Sequence, residues 1–239
     1  MLKNSDKYTF LFATAVCLIC GFLLSSVAAL LKDRQTLNIE VDIKKNVLKA
    51  VRLENPLSPK ATSVEVKTVY AEKIEEKVID TNGKIISDVL AKDVNFEEKT
   101  DWMPLYIYKE GEKIKAYCYP VSGKGLWSTL YGYFSVESDG KTVRGISFYK
   151  HGETPGLGAE IEKSWFQDNF KGKLIWSDEK SSIQPIAVVK GKVKNLYSGK
   201  EASHYVDGIS GATITCAGVT SLLAKAIKKY EVFFKIIRN

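Results

Sequence analysis

The chain has 239 residues, 45% hydrophobic, 26% charged and 11% aromatic, with a formal net charge of +7 and a slightly negative mean hydropathy. This composition excludes a disordered tail and a collagen-like repeat, which are poorer in large apolar residues or richer in Gly and Pro. It also excludes a multi-spanning transporter, because only one long stretch lacks charge, and the dispersed lysines form no aromatic-basic array suited to nucleic acid.

That stretch runs from Tyr8 to Leu31, 24 residues without Asp, Glu, Lys or Arg. As a helix it reaches roughly 36 Å, more than the ~30 Å hydrocarbon core of a bilayer, and it predicts one transmembrane anchor. A cleaved secretory signal competes, since the basic start and the small triplet Ser26-Val27-Ala28 fit one. Signal cores are shorter, about 7 to 15 apolar residues, so retention is expected. Ile19 before Cys20 disfavours a lipoprotein anchor, and with lysines on both flanks only the short N-terminal tail points to N-inside. Cys17 and Cys20 cannot complete a tetrahedral metal site alone and read as small packing residues. Cys118 and Cys216 are expected to be unpaired.

Beyond the anchor, Leu37, Ile39, Val41, Val47, Leu48 and Val51 predict a helix over 35–53, stopped by Asn55-Pro56. Alternation at Val64, Val66 and Thr68 reads as a strand, Thr81-Asn82-Gly83-Lys84 as a turn, and a helix is expected around Val89. Glycine turns then pair residues 105–108 with 114–119 and residues 131–137 with 143–149 as two hairpins. Strands are expected at 173–176 and 186–190, with a helix around Trp165 between the hairpins and these strands. Val219, Leu222, Leu223, Ala226, Ile227, Tyr230, Phe234 and Ile237 predict one amphipathic helix closing an α+β domain. The organisation is therefore a tail and anchor over 1–31, a juxtamembrane helix and α/β segment over 32–100, and a terminal domain over 101–239.

No GxGxxG opens a helix after a strand and no GxxxxGK[ST] occurs, which places nucleotide hydrolysis and Rossmann chemistry low. The only histidines, His151 and His204, have no GxSxG elbow to accompany them and read as surface or turn residues. Two glycine-rich segments remain. The first, His151-Gly152-Glu153-Thr154-Pro155-Gly156-Leu157-Gly158, is read from its residues as a strand-to-helix loop whose glycines let a flat partner approach. The second, Asp207-Gly208-Ile209-Ser210-Gly211-Ala212-Thr213-Ile214-Thr215, runs into the terminal helix. Its hydroxyls suit ordinary capping, and the same geometry suits a phosphate held by free N–H groups and the helix dipole.

Asp207 to Thr213 resembles the target motif of bacterial flavin transferases, and His151 to Gly158 resembles the accompanying loop of FMN-binding subunits. With the lone anchor, the Asp42-Ile43-Lys44-Lys45-Asn46-Val47-Leu48 stretch and Gly125-Leu126-Trp127-Ser128-Thr129-Leu130-Tyr131-Gly132-Tyr133, the chain is similar to the C subunits of the bacterial sodium-translocating NADH:quinone reductases. The related G subunit of Rnf complexes shares both glycine motifs and is the runner-up; residues 50–100 carry nothing that anchors to either.

The resemblance implies an α+β FMN-binding domain of antiparallel strands and helices, with FMN joined by a phosphoester bond to Thr213. A separate flavin transferase would install it from FAD by reading Asp207, Ser210, Gly211, Ala212 and Thr213. By the same resemblance Leu126, Trp127, Glu153, Thr154 and Leu157 line the isoalloxazine ring, Lys190 reaches the ring or phosphate, Thr215 lies near the phosphate, and Cys216 is packing. It implies an electron relay with no catalytic acid–base pair and no metal, alongside the other subunits of a redox complex in the bacterial inner membrane, with the soluble domain facing the periplasm. NADH oxidation, quinone reduction and sodium passage would fall to partner subunits. A non-redox anchored binding module and a free-standing flavin reductase are the competing readings.

Overall fold

The computed structural model describes residues 2–53, 57–58, 60–96, 101–177 and 182–238. The chain divides into two units, one ending at Ile43 and one beginning at Lys44.

Helix α1 spans Leu2–Ala50. Its Asp6–Ala50 portion is long and apolar enough to cross a membrane, with Phe10, Leu11, Leu18, Phe22 and Leu24 exposed. The helix expected over 35–53 is continuous with the anchor, because no Gly or Pro lies between Leu31 and Ala50 to interrupt it.

The second unit has three layers. Its centre is a six-stranded antiparallel sheet of β1 (Ile74–Ile79), β2 (Ile85–Ile86), β3 (Met103–Glu110), β4 (Lys113–Lys124), β5 (Thr129–Glu137) and β6 (Val143–Lys150), in the order β2-β1-β3-β4-β5-β6. Both expected hairpins are present. Asp80 fixes the turn between β1 and β2 by accepting the N–H groups of Asn82 and Lys84. Thus β1 and β2, from the 32–100 segment, belong to the same sheet as the terminal domain's strands.

One face of the sheet carries polar side chains under the last turns of α1 and under α2 (Ser63–Lys73). Ser135 Oγ donates to the Ala50 carbonyl at 2.5 Å, Ser147 Oγ to Asn46 Oδ1 at 3.0 Å and the Tyr70 hydroxyl to Glu76 at 2.8 Å. The strand expected at 63–69 is instead this helix. Thr62 and Glu65 form a reciprocal capping box, and the two side chains it buries are Val66 and Tyr70, four residues apart. The helix expected around Val89 is absent among the described residues; the nearest element is a short 3-10 turn over Ala91–Asp93.

The opposite face is apolar. Leu105, Tyr119, Phe134 and Ile146 pack there beneath the C-terminal helices. Between sheet and terminus lie α3 (Ser164–Gln167), the antiparallel pair β7 (Trp176–Ser177) and β8 (Ser182–Ile183), and the parallel pair β9 (Ala187–Val188) and β10 (Tyr205–Val206). The strands expected at 173–176 and 186–190 shrink to these two-residue pieces.

The single terminal helix proves to be two, α4 (Thr213–Lys229) and α5 (Glu231–Arg238). They break at Tyr230, whose ring stacks on Tyr119 at 4.1 Å while its hydroxyl donates to the Pro104 carbonyl at 2.6 Å. That anchorage lets α5 turn so that Phe233 and Phe234 are buried against Tyr117 and Tyr119.

Candidate functional site

Three segments distant in sequence meet where β4 ends and α4 begins. The first is the turn from Gly125 to Ser128, closed by the Gly125 N–H donating to the Ser128 carbonyl at 2.8 Å. The second is the 151–158 loop after β6, and the third is the 207–215 segment. Glycines permit their contact. A Cβ at Gly218 of α4 would fall 2.5 Å from the Lys124 carbonyl oxygen, and one at Gly158 would fall 2.6 Å from Thr215 Oγ1 and 2.8 Å from Glu153 Oε2.

Glu153 ties the three together. Its carboxylate is buried, accepts the N–H groups of Leu126 at 3.3 Å, Trp127 at 3.0 Å and Ser128 at 3.5 Å, and takes the Thr215 hydroxyl at 2.5 Å. Burial pushes its pKa up, but the hydrogen bonds from Thr215 and from the Trp127, Leu126 and Ser128 amides together outweigh that and hold it below the usual carboxylate range. The expectation that Glu153 lines a ring is therefore revised: its carboxylate points inward and acts as a clasp. Thr215 is likewise inward, 1% exposed.

The outward residues are different. Ser210, Gly211 and Thr213 are exposed, whereas Ala212 is buried. Gly211 has φ +74°, and a Cβ there would lie 2.8 Å from Leu157 Cδ2, so the two glycine-rich segments touch at this point. Thr213 is the first residue of α4. Its N-cap is Ala212, and no side chain caps the helix. The expected hydroxyl cap is thus missing, because the N-cap position falls on Ala212, which carries no hydroxyl, and the Thr215 hydroxyl inside the first turn is bonded to Glu153. Four apolar side chains of the converging segments are exposed: Trp127 at 71%, Ile214 at 59%, and Leu126 and Leu157 at 42% each. Thr154 is exposed, and its carbonyl accepts the N–H groups of Leu157 and Ala159, both at 3.1 Å.

Asp207 shapes the approach to this segment. It accepts the Val193 N–H at 2.7 Å and pairs with Lys192 at 2.9 Å. Burial raises its pKa, and the Val193 amide and Lys192 overcome that to lower it. Gly208 donates to the Gly191 carbonyl at 2.8 Å, next to Lys190, whose side chain is exposed. Cys216 is free and buried, accepts the Ile209 N–H at 3.4 Å, and burial pushes its thiol pKa up.

The histidines, expected as surface or turn residues, stand in a loop and at the end of a 3-10 turn, with their side chains turned away from solvent. His204 is buried with Nδ1 2.7 Å from the Leu174 carbonyl oxygen, and the His151 side chain is 8% exposed. Sequence reasoning also passed over Ile214, whose signal is an apolar residue beside Thr213 that the predicted apolar stripe, starting at Val219, does not include; in the structure it is exposed.

The arrangement suits a phosphorylated aromatic ligand: an exposed hydroxyl at an uncapped helix start, next to exposed apolar side chains and an indole. The model for the FMN-binding domain family matches residues 125–228. The C subunit of the Na(+)-translocating NADH-quinone reductase of Pasteurella multocida is 33% identical over 249 residues, covering 92% of this chain and 90% of that protein. The corresponding Vibrio anguillarum protein is also 33% identical, with 92% and 90% covered. The crystal structure of the C subunit from Parabacteroides distasonis superposes with a TM-score of 0.73 at 34% identity, covering 85% of this chain and 96% of that one. The Shewanella oneidensis counterpart gives 0.68 at 26%, with 82% and 96% covered. With a third of its residues shared over nine-tenths of its length, the chain belongs to the family of C subunits of the Na(+)-translocating NADH-quinone reductases.

Proposed function

We propose that the chain carries FMN as a phosphoester of Thr213 and relays electrons within a membrane Na+-translocating NADH:quinone oxidoreductase. The observation that carries this reading is the start of α4, where an exposed threonine hydroxyl heads a 17-residue helix that no side chain caps. Unsatisfied N–H groups and the positive end of the helix dipole favour a phosphate there. Leu126, Trp127, Leu157 and Ile214 offer apolar surface to a flat ring, and Thr154 and the loop amides offer polar groups to its edge. FMN, when bound, supplies one- and two-electron transfer.

The chain's own residues bind and orient. Glu153 and Thr215 hold the turn and the helix start in register behind the hydroxyl. Asp207, by fixing the 190–193 segment, presents Ser210 to Thr213 to a flavin transferase, and Lys190 extends toward the phosphate or ring. A covalent tether keeps the cofactor at a very high local concentration between turnovers.

Helix α1 anchors the protein in the bacterial inner membrane with the soluble part on the periplasmic side, where the transferase acts on it. NADH oxidation, quinone reduction and sodium passage belong to partner subunits. Functionally the chain divides into tail and anchor over 1–31, a connecting segment over 32–100 that also lends two strands to the sheet, and the flavin-bearing domain over 101–239. Denaturing gel electrophoresis of the chain co-expressed with a flavin transferase tests the reading. Flavin fluorescence is expected to migrate with the wild-type polypeptide and to vanish in Thr213→Ala; a fluorescent Thr213→Ala band would overturn the attachment site.

A further inference from the structure

His204 is buried and the His151 side chain is largely shielded from solvent, and their hydrogen bonds require opposite tautomers. His204 Nδ1 lies 2.7 Å from the Leu174 carbonyl oxygen, which can only accept, so its proton is on Nδ1. His151 Nδ1 lies 3.2 Å from the Glu153 backbone N–H, which can only donate, so Nδ1 is bare and the proton is on Nε2. His151 Nε2 is closed off from water without a hydrogen-bond partner, and the carboxylate facing it is Glu162 Oε1, 3.6 Å away. Lys150, next to His151 in sequence, lies over the Tyr131 ring.

Glu153 is therefore held at both ends, by His151 at its amide and by four donors at its carboxylate. We propose that His151, as the Nε2–H tautomer, is a positioning residue that sets Glu153 and, through it, the turn and helix start around Thr213. Its meaning for the cofactor rests on the FMN reading above; the tautomer does not.

The test uses the full chain in detergent, labelled with 15N-histidine and free of flavin, at about pH 8, where histidine is ordinarily neutral. Two neutral imidazoles with opposite tautomer patterns are expected, with Nε2 protonated in the signal that His151→Asn removes. A proton on His151 Nδ1 overturns the proposal. The Asn side-chain oxygen can replace Nδ1 as acceptor, whereas His151→Leu keeps the bulk and loses it. Hydrogen exchange at the Glu153 amide is expected to rise roughly tenfold in the Leu variant, the scale of a buried donor left unpaired, and to stay near wild type in the Asn variant. Equal exchange in Leu and wild type, or equal acceleration in both variants, overturns it. In the flavin-loaded chain, visible circular dichroism of the flavin should shift in His151→Leu and not in His151→Asn. A wild-type chain that takes no covalent flavin would contradict the FMN reading while the tautomer result stands on its own.

Discussion

The two glycine-rich segments share a composition and divide the work. The 151–158 loop turns its charged side chain inward, where Glu153 meets four donors in a buried clasp. The 207–215 segment sends its Thr215 hydroxyl inward to that clasp and leaves Thr213 exposed at an uncapped helix start. In the first, glycine removes bulk so that segments can touch; in the second, Gly211 adopts φ +74° so that the chain can turn into α4. The supporting carboxylate and the presented hydroxyl are thus separate parts, and they respond differently to substitution.

The sharpest way to break this division is Gly158→Ala. The added methyl would lie against the Thr215 hydroxyl and Glu153 together, and a loss of about 2–3 kcal/mol is expected in chemical denaturation. An unchanged midpoint would mean that the segments are not pressed together as described. Glu153→Ala should cost about 2 kcal/mol by leaving buried donors unpaired, whereas Thr213→Ala, at an exposed position, should change stability by no more than about 0.5 kcal/mol while abolishing flavin attachment.

Acid titration sharpens the same contrast. The Glu153 carboxyl is held low in the fold, so its contribution is fully present above its unfolded pKa of about 4.3 and fades as pH falls through the depressed folded value. Wild type should therefore lose stability below about pH 4 more steeply than Glu153→Gln; parallel curves would show the carboxylate is not clasped. An effect on stability as small as that of Thr213→Ala is expected for Asp207→Asn. It keeps an acceptor for the Val193 amide and loses only a half-exposed ion pair with Lys192, about 0.5 kcal/mol in thermal unfolding.

Much of the sheet was legible because its hairpins are punctuated by glycine turns between alternating strands, as at Glu110-Gly111-Glu112-Lys113. Over 63–69 two periodicities overlapped, since Val66 serves both alternation and the i,i+4 pair with Tyr70, and the capping box decided for helix. The break at Tyr230 was hidden because apolar spacing continues through it; the partners that stop the helix, Tyr119 and Pro104, lie over a hundred residues away. The candidate site was legible as motifs but not as roles. The Glu153–Thr215 bond spans 62 positions, and nothing local distinguishes an inward carboxylate from one facing a ligand.

The central claim is most directly tested by the denatured intact mass of the chain after co-expression with a flavin transferase. The account predicts an adduct equal to FMN less one water on the wild type and none on Thr213→Ala. A wild-type mass equal to the bare polypeptide would contradict it.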